Sequence, residues 1–136
     1  MTLQISAKHA RQISSHSKEA YPLEACGVLI GTLADDVRTV TDVWPAKNQL
    51  SSESSYEIDP ETLFRAFSHA EEKKLEVVGF YHSHSFWSAD ASDVDKARAN
   101  YPSLSYVIYS IPRNEILSFY FDGRQLIHEP LRISGD

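Results

Sequence analysis

His82 and His84 are separated by one residue, and after seven intervening residues come Ser92 and then, three positions on, Asp95. Two imidazoles and one carboxylate are three protein ligands. That number leaves a tetrahedral zinc ion its fourth position for water, which is the stoichiometry of a catalytic rather than a structural site. The spacing therefore reads as an open zinc centre.

The elements around these residues must bring them together. Glu76-Val77-Val78-Gly79-Phe80-Tyr81 is β-branched and aromatic, which predicts a buried strand running on into His82. Side chains on a strand alternate between faces, so His82 and His84 point one way and Ser83 the other. Beyond the loop, Ser92 to Ala99 reads as a short helix. Ser92 is its N-cap and Asp95 the acidic partner of a capping box, which sets Asp95 on the first turn over the strand end. Taken singly, a His-x-His pair is often a solvated strand edge and Ser-x-x-Asp plain capping. Their joint occurrence favours the metal.

The same residues resemble the JAMM, or MPN+, metalloproteases, whose signature is a distant Glu, then His-x-His-Pro, then a Ser and an Asp at the spacing found here. The family's upstream phrase is matched by Pro22-Leu23-Glu24-Ala25-Cys26-Gly27-Val28-Leu29-Ile30-Gly31. Asn48, Ile58-Asp59-Pro60 and Ser105 to Ser110 are similar to its middle and late segments, so the resemblance spans nearly the whole chain. It implies the MPN, cytidine-deaminase-like sandwich, with one Zn2+ per chain held by His82, His84 and Asp95. Glu24 is then the general base that takes a proton from water and returns it to the leaving amine, and Ser92 the donor to the oxyanion. Two positions depart from the pattern. Ser85 and Ala91 stand where the family usually has proline; neither is a ligand, but both bear on loop geometry.

The chain is little more than a catalytic core, which is similar to the compact prokaryotic members. The resemblance thus implies hydrolysis of an amide at the C-terminus of a ubiquitin-like, β-grasp or sulfur-carrier protein. Two other readings stay open: a metal-free scaffold of the same fold, and a zinc hydrolase of small-molecule amides. No His-Glu-x-x-His helix is present, which sets aside the commonest zinc peptidase design.

A chain of 136 residues suits a single domain, 1–136. One cysteine forms no internal disulfide, the N-terminus has no apolar signal core, and no apolar run reaches the ~20 residues of a membrane span, so the cytoplasm is the expected compartment. A net charge of -6 without clustered lysines or arginines speaks against nucleic acid. Cys26, within an apolar run, reads as a small buried hydrophobe. The expected fold class is α/β of the α+β type, a mostly antiparallel sheet flanked by helices. The first helix is predicted over Ser6–Ala20, with Ile5, Ala7, Ala10, Ile13 and His16 among its apolar side. Strands at Ala25–Thr32 and Val37–Trp44 are joined by Ala34-Asp35-Asp36, and a second helix opens at Asp59-Pro60 with Leu63, Phe64, Phe67 and Ala70 as its stripe. Three late strands follow, Leu104–Ile111, Glu115–Phe121 and Gln125–Arg132, with Asp122-Gly123 as the tight turn between the last two. The serine-rich 47–55 segment reads as a mobile connection or a flap. His9, His16, His69 and His128 have no partner at ligand spacing. Phe86 and Trp87 are either packed under the loop or exposed to hold a substrate tail.

Overall fold

Short alternating runs and well-capped helices lay out the chain as β1 (Thr2–Ser6), α1 (Ala7–Ala20), β2 (Cys26–Ala34), β3 (Val37–Ala46), α2 (Pro60–Glu72), β4 (Glu76–His84), α3 (Asp93–Arg98), β5 (Ser105–Ser110), β6 (Glu115–Phe121), β7 (Leu126–Glu129) and β8 (Leu131–Ser134). The computed structural model describes residues 1–136. All eight strands join one sheet in the order β7-β6-β5-β4-β2-β3-β1-β8. The β2–β3, β2–β4, β5–β6 and β6–β7 pairs are antiparallel. Only β1–β3, β1–β8 and β4–β5 are parallel. The expectation of a mostly antiparallel sheet flanked by helices holds.

The two edge strands, β7 and β8, are consecutive in the chain and separated by Pro130 alone. The sheet must therefore curl until its edges meet. Pro130 has no N–H to give a ladder, while its carbonyl accepts from Leu3 N–H at 3.0 Å. Arg38 of β3 consequently lies 3.7 Å from Glu129 of β7, although four strands stand between them in the sheet order. Both side chains are about 1 % exposed, and a charge so deeply buried requires partners. Ser105 and Ser118 each donate a hydroxyl to Glu129 Oε2 at 2.7 Å, and Arg38 donates to the Ser103 carbonyl.

Helices cover both faces. On one, Ile13 of α1 packs with Leu3, Ile5, Leu29, Tyr81 and Val107. On the other, Ala66 and Ala70 of α2 pack with Val28, Ile30, Phe80 and Tyr106. The alternation of β4 assigns Tyr81 to the α1 side and Phe80 to the α2 side, so His82 and His84 follow Phe80. At Gly79 a Cβ would overlap the Ser105 carbonyl, so glycine is what lets β4 approach β5 here.

Several boundaries differ from the sequence expectation. Thr2–Ser6 is a strand with Leu3 and Ile5 buried, and Ser6 caps α1 by accepting from His9 N–H; Ile5 belongs to this strand and not to the helix. The expected strand 125–132 is split by Pro130. The turn before β7 is a four-residue loop in which Asp122 Oδ1 accepts from Arg124 and Gln125 N–H, with Gly123 at φ +99°. In α2 the expected Leu63 and Ala70 do pack on the sheet, joined by Ala66, and the small i, i+4 pair Ala66 and Ala70 lets the helix close on it. Phe64 is rotated outward and is 73 % exposed, and Phe67 is also exposed. No helix is long and apolar enough to cross a membrane.

Candidate metal and catalytic site

The register of the sheet builds the site. Cys26 of β2 lies opposite His82 of β4, so continuing the antiparallel pairing two residues back sets Glu24 opposite His84 at the strand end. The intervening Ser83, facing the other way, fastens this arrangement. Its hydroxyl accepts Ala25 N–H at 2.8 Å, while its own N–H donates to the Ala25 carbonyl at 3.1 Å. Helix α3 delivers Asp95 through a complete capping box: Asp95 N–H donates to Ser92 Oγ at 3.1 Å, and Ser92 N–H donates to Asp95 Oδ2 at 3.0 Å.

His82 Nε2 and His84 Nε2 each stand 3.0 Å from a different oxygen of the Asp95 carboxylate. All three residues are buried, and their ligand atoms lie within 4.8 Å of one another. Such a group can hold a metal ion. His84 Nδ1 faces the Ser88 carbonyl at 2.6 Å, and because a carbonyl only accepts, Nδ1 carries the proton. In the neutral ring Nε2 is then the free lone pair, the atom available to a metal ion. His82 Nε2, although close to Asp95, has no aligned hydrogen bond, and Nδ1 has none either. Burial lowers the His82 pKa, which keeps its ring neutral and a ligand rather than a proton carrier. Burial alone would raise the Asp95 carboxyl, yet the two imidazoles and the Ser92 N–H hold it well below the usual carboxylate range. Two nitrogen donors and one carboxylate suit zinc.

Glu24 is 1 % exposed, and neither of its carboxylate oxygens has a hydrogen-bond partner. Burial, with the negative charge of Asp95 acting in the same direction, pushes its pKa up to about 8. A buried, unpaired carboxyl in that range can hold a proton or release it near neutral pH. Ser92, partly exposed, accepts the Asp95 N–H through a lone pair, which leaves its hydroxyl hydrogen available to another acceptor. Cys26 is wholly buried and its thiol is pushed up to about 12, so it is packing and no nucleophile.

The resemblance covered Asn48, but the sequence reading gave no role to it or to the other residues that orient these groups. Asn48 is a buried hub: it donates to the Glu24 and Ser55 carbonyls, both at 3.0 Å, and accepts from Leu50 and Glu57 N–H. Glu24 N–H donates to the Ser52 carbonyl at 2.8 Å. The 47–58 segment is thus fastened to the Glu24 main chain and is neither a flap nor a loose connection. Tyr56 stacks on His82 with ring centroids 4.3 Å apart. Its only cue was an aromatic two residues before Ile58-Asp59-Pro60. Ser88 acts through a carbonyl, for which side-chain identity gives no cue.

The loop after His84 is held by its main chain, since Ser110 Oγ donates to the Trp87 carbonyl at 2.6 Å and Ala89 is wholly buried. Phe86 and Trp87 therefore stand at the surface, 49 % and 37 % exposed, with Phe86 near Tyr21 and Trp87 against the His84 ring. Buried Ser85 takes up the proline position, with its hydroxyl 3.5 Å from the Leu23 carbonyl. Of the other histidines, His9 meets Ser6, His69 packs on Trp44, His128 is exposed beside Phe119, and half-buried His16 meets the Tyr81 hydroxyl at 2.7 Å. None joins the cluster of His82, His84 and Asp95.

Residues 6–122 match the family model described as prokaryotic homologs of the JAB domain. The chain is 35 % identical over 132 residues to the desampylase of Haloferax volcanii, covering 93 % of this chain and 86 % of that protein. It is 28 % identical over 134 residues to the CysO-cysteine peptidase of Mycobacterium tuberculosis, covering 96 % and 90 %. A protein of Desulfitobacterium hafniense solved in solution superposes with a TM-score of 0.89 at 29 % identity, over 98 % of this chain and 94 % of the other.

Proposed function

The chain belongs to the prokaryotic JAB-domain family, and from that membership we propose that it is a zinc metallopeptidase or isopeptidase hydrolysing the amide at the C-terminus of a ubiquitin-like or sulfur-carrier protein. The observation that carries the reading is the convergence of His82, His84 and Asp95 beside a buried carboxyl without a partner, Glu24. Relatives matched over most of their length, named desampylase and CysO-cysteine peptidase, support both the reaction and the kind of substrate. Zinc held by the three ligands would supply Lewis acidity, which makes water acidic enough to act near neutral pH and polarises the scissile carbonyl.

The chain's own residues do the rest. Glu24 receives the proton of the attacking water and hands it to the departing amine, a double duty that its raised pKa suits. Ser92 turns its free hydroxyl hydrogen toward the oxygen on which charge develops. Burial of Glu24 and the ligands excludes bulk water, so these interactions act in a low dielectric.

The direct test is incubation of zinc-loaded protein with a β-grasp carrier that ends in Gly-Gly plus one added cysteine, and with the same carrier joined to a lysine side chain. Mass spectrometry is expected to show release of the carrier with its Gly-Gly end free. Cleavage of short synthetic amides with both protein substrates left intact would refute the proposal. Ser92→Ala is expected to lower kcat by about 10²–10³-fold with KM little changed. Loss of the cap costs about 1 kcal/mol of stability, read by denaturant unfolding. A kcat within a few-fold of wild type, at equal zinc content, would remove Ser92 from the reaction.

A further inference from the structure

The two histidines of the cluster are held by different means. His84 is oriented by a hydrogen bond from Nδ1 to the Ser88 carbonyl, the usual way of fixing a ligand ring. His82, equally buried, has no partner at Nδ1. What meets its ring instead is the face of Tyr56, at 4.3 Å and with only 21° between the planes, while His84 lies edge-on at 5.1 Å. Beyond the Asp95 oxygen 3.0 Å from Nε2, no polar contact sets its rotation, and the plane of the His82 ring is set by these two neighbours.

Tyr56 is itself held on three sides. Its carbonyl accepts from Arg98 of α3, the helix that carries Asp95, at 3.1 Å. The residues flanking it, Ser55 and Glu57, are both bonded to the Asn48 side chain, which also holds the Glu24 carbonyl. Tyr56 also lines both the small cavity beside His82 and Asp95 and the outer groove of about 390 Å³ that runs past Ile58, Leu63 and Tyr101. With Arg98 and Tyr106 it forms the wall between them.

We propose that Tyr56 is the positioning residue of His82, taking by aromatic stacking the place that a hydrogen bond takes at His84, and that the 47–58 loop thereby holds ligand and base in one register. The proposal rests on the reading of His82 as a metal ligand. The phenol ring, not its hydroxyl, performs this task, so Tyr56→Phe retains it. Tyr56→Leu keeps bulk in the wall but loses the flat face.

Zinc affinity of chelator-stripped protein, measured by competition with a chromophoric chelator, is the test, together with the visible spectrum of the Co2+-substituted protein. Tyr56→Phe is expected to match wild type within about twofold, whereas Tyr56→Leu weakens zinc by roughly 10–100-fold and alters the cobalt bands. Unfolding of the stripped proteins in chelator separates this from a general loss of stability. The Leu variant should then stand close to the Phe variant without metal and fall behind it only with metal. Should the Leu variant not fold, Tyr56→Met provides the same comparison. Zinc bound equally by wild type and by the Leu or Met variant, with unchanged cobalt bands, overturns the positioning role alone. A wild-type protein that takes up no zinc overturns the metal reading, and the role of Tyr56 with it.

Discussion

Replacing Glu24 by Gln is expected to lower turnover by about 10²–10⁴-fold while zinc content stays at the wild-type level. Gln preserves the shape of the side chain but can neither accept the proton of water nor return it to an amine. Glu24 is not among the three clustered ligand residues, so its loss should leave the metal in place. Hydrolysis in wild type should rise with pH as Glu24 ionises, along a limb lying at or below about 8, the value to which burial and the Asp95 charge bring the carboxyl. A bound cation favours the ionised form and shifts that limb downward. Retained turnover in the zinc-loaded Gln variant would show that another group moves the proton.

The same carboxyl leaves a signature in stability. Its pKa rises from 4.5 to about 8 on folding, so the folded protein binds this proton more tightly than the unfolded chain does. The stabilising contribution is fully present below about pH 4.5 and is lost as pH rises through about 8. In chelator, wild type should therefore lose stability across this window relative to Glu24→Gln. The pH-dependent difference is on the order of 2–4 kcal/mol, read from denaturant midpoints at pH 4 and pH 8.5. Parallel midpoints at both pH values would mean that Glu24 ionises as freely in the fold as outside it.

What could be read from the sequence is what depends on local geometry. Alternation along a strand sets His82 and His84 on one face, and the Ser92–Asp95 capping box both starts α3 and points its carboxylate back at the strand. Asp59-Pro60 marked the start of α2 for the same reason, since a cap acts within four residues. Less legible was whatever depends on contacts distant in sequence. Strand β1 is only five residues long and pairs with β3 and β8, neither of which is nearby in the chain, so Ile5 was assigned to the helix that follows. The curling that brings Glu129 to Arg38 depends on the order of all eight strands. On α2 the expected stripe holds for Leu63 and Ala70, which pack on the sheet with Ala66, and fails for Phe64 and Phe67, because size was taken for burial. Around the site, Asn48 ties segments 24 residues apart and Ser88 works through its backbone, so neither role is written in a local pattern. The family resemblance supplied Glu24, for which local reading alone offered only a loop carboxylate. In the structure it is buried without a hydrogen-bond partner, within reach of the Asp95 charge.

The His82→Ala, His84→Ala double variant is expected to hold no zinc where wild type purified without added metal holds one ion per chain, and its turnover should fall to background. Elemental analysis reads the first and the conjugate assay the second. Removing both imidazoles leaves Asp95 as a lone carboxylate ligand, too few donors to retain zinc against a chelator. The structure adds a sharper expectation. The same three residues lie buried with their ligand atoms within 4.8 Å of one another, so the folded chain presents a site that the unfolded chain does not. Zinc binds the folded site and not the unfolded chain, so free zinc at 100 times Kd should stabilise wild type by about 2.7 kcal/mol, while the double variant should not respond. Failure of wild type to take up zinc on titration, or to gain stability from it, would end the hydrolase reading and leave a scaffold of the same fold as the account that fits. A variant that still held zinc would instead mean that the ion sits on other residues, and the roles of Glu24 and Ser92, drawn from their place beside this cluster, would fall with it.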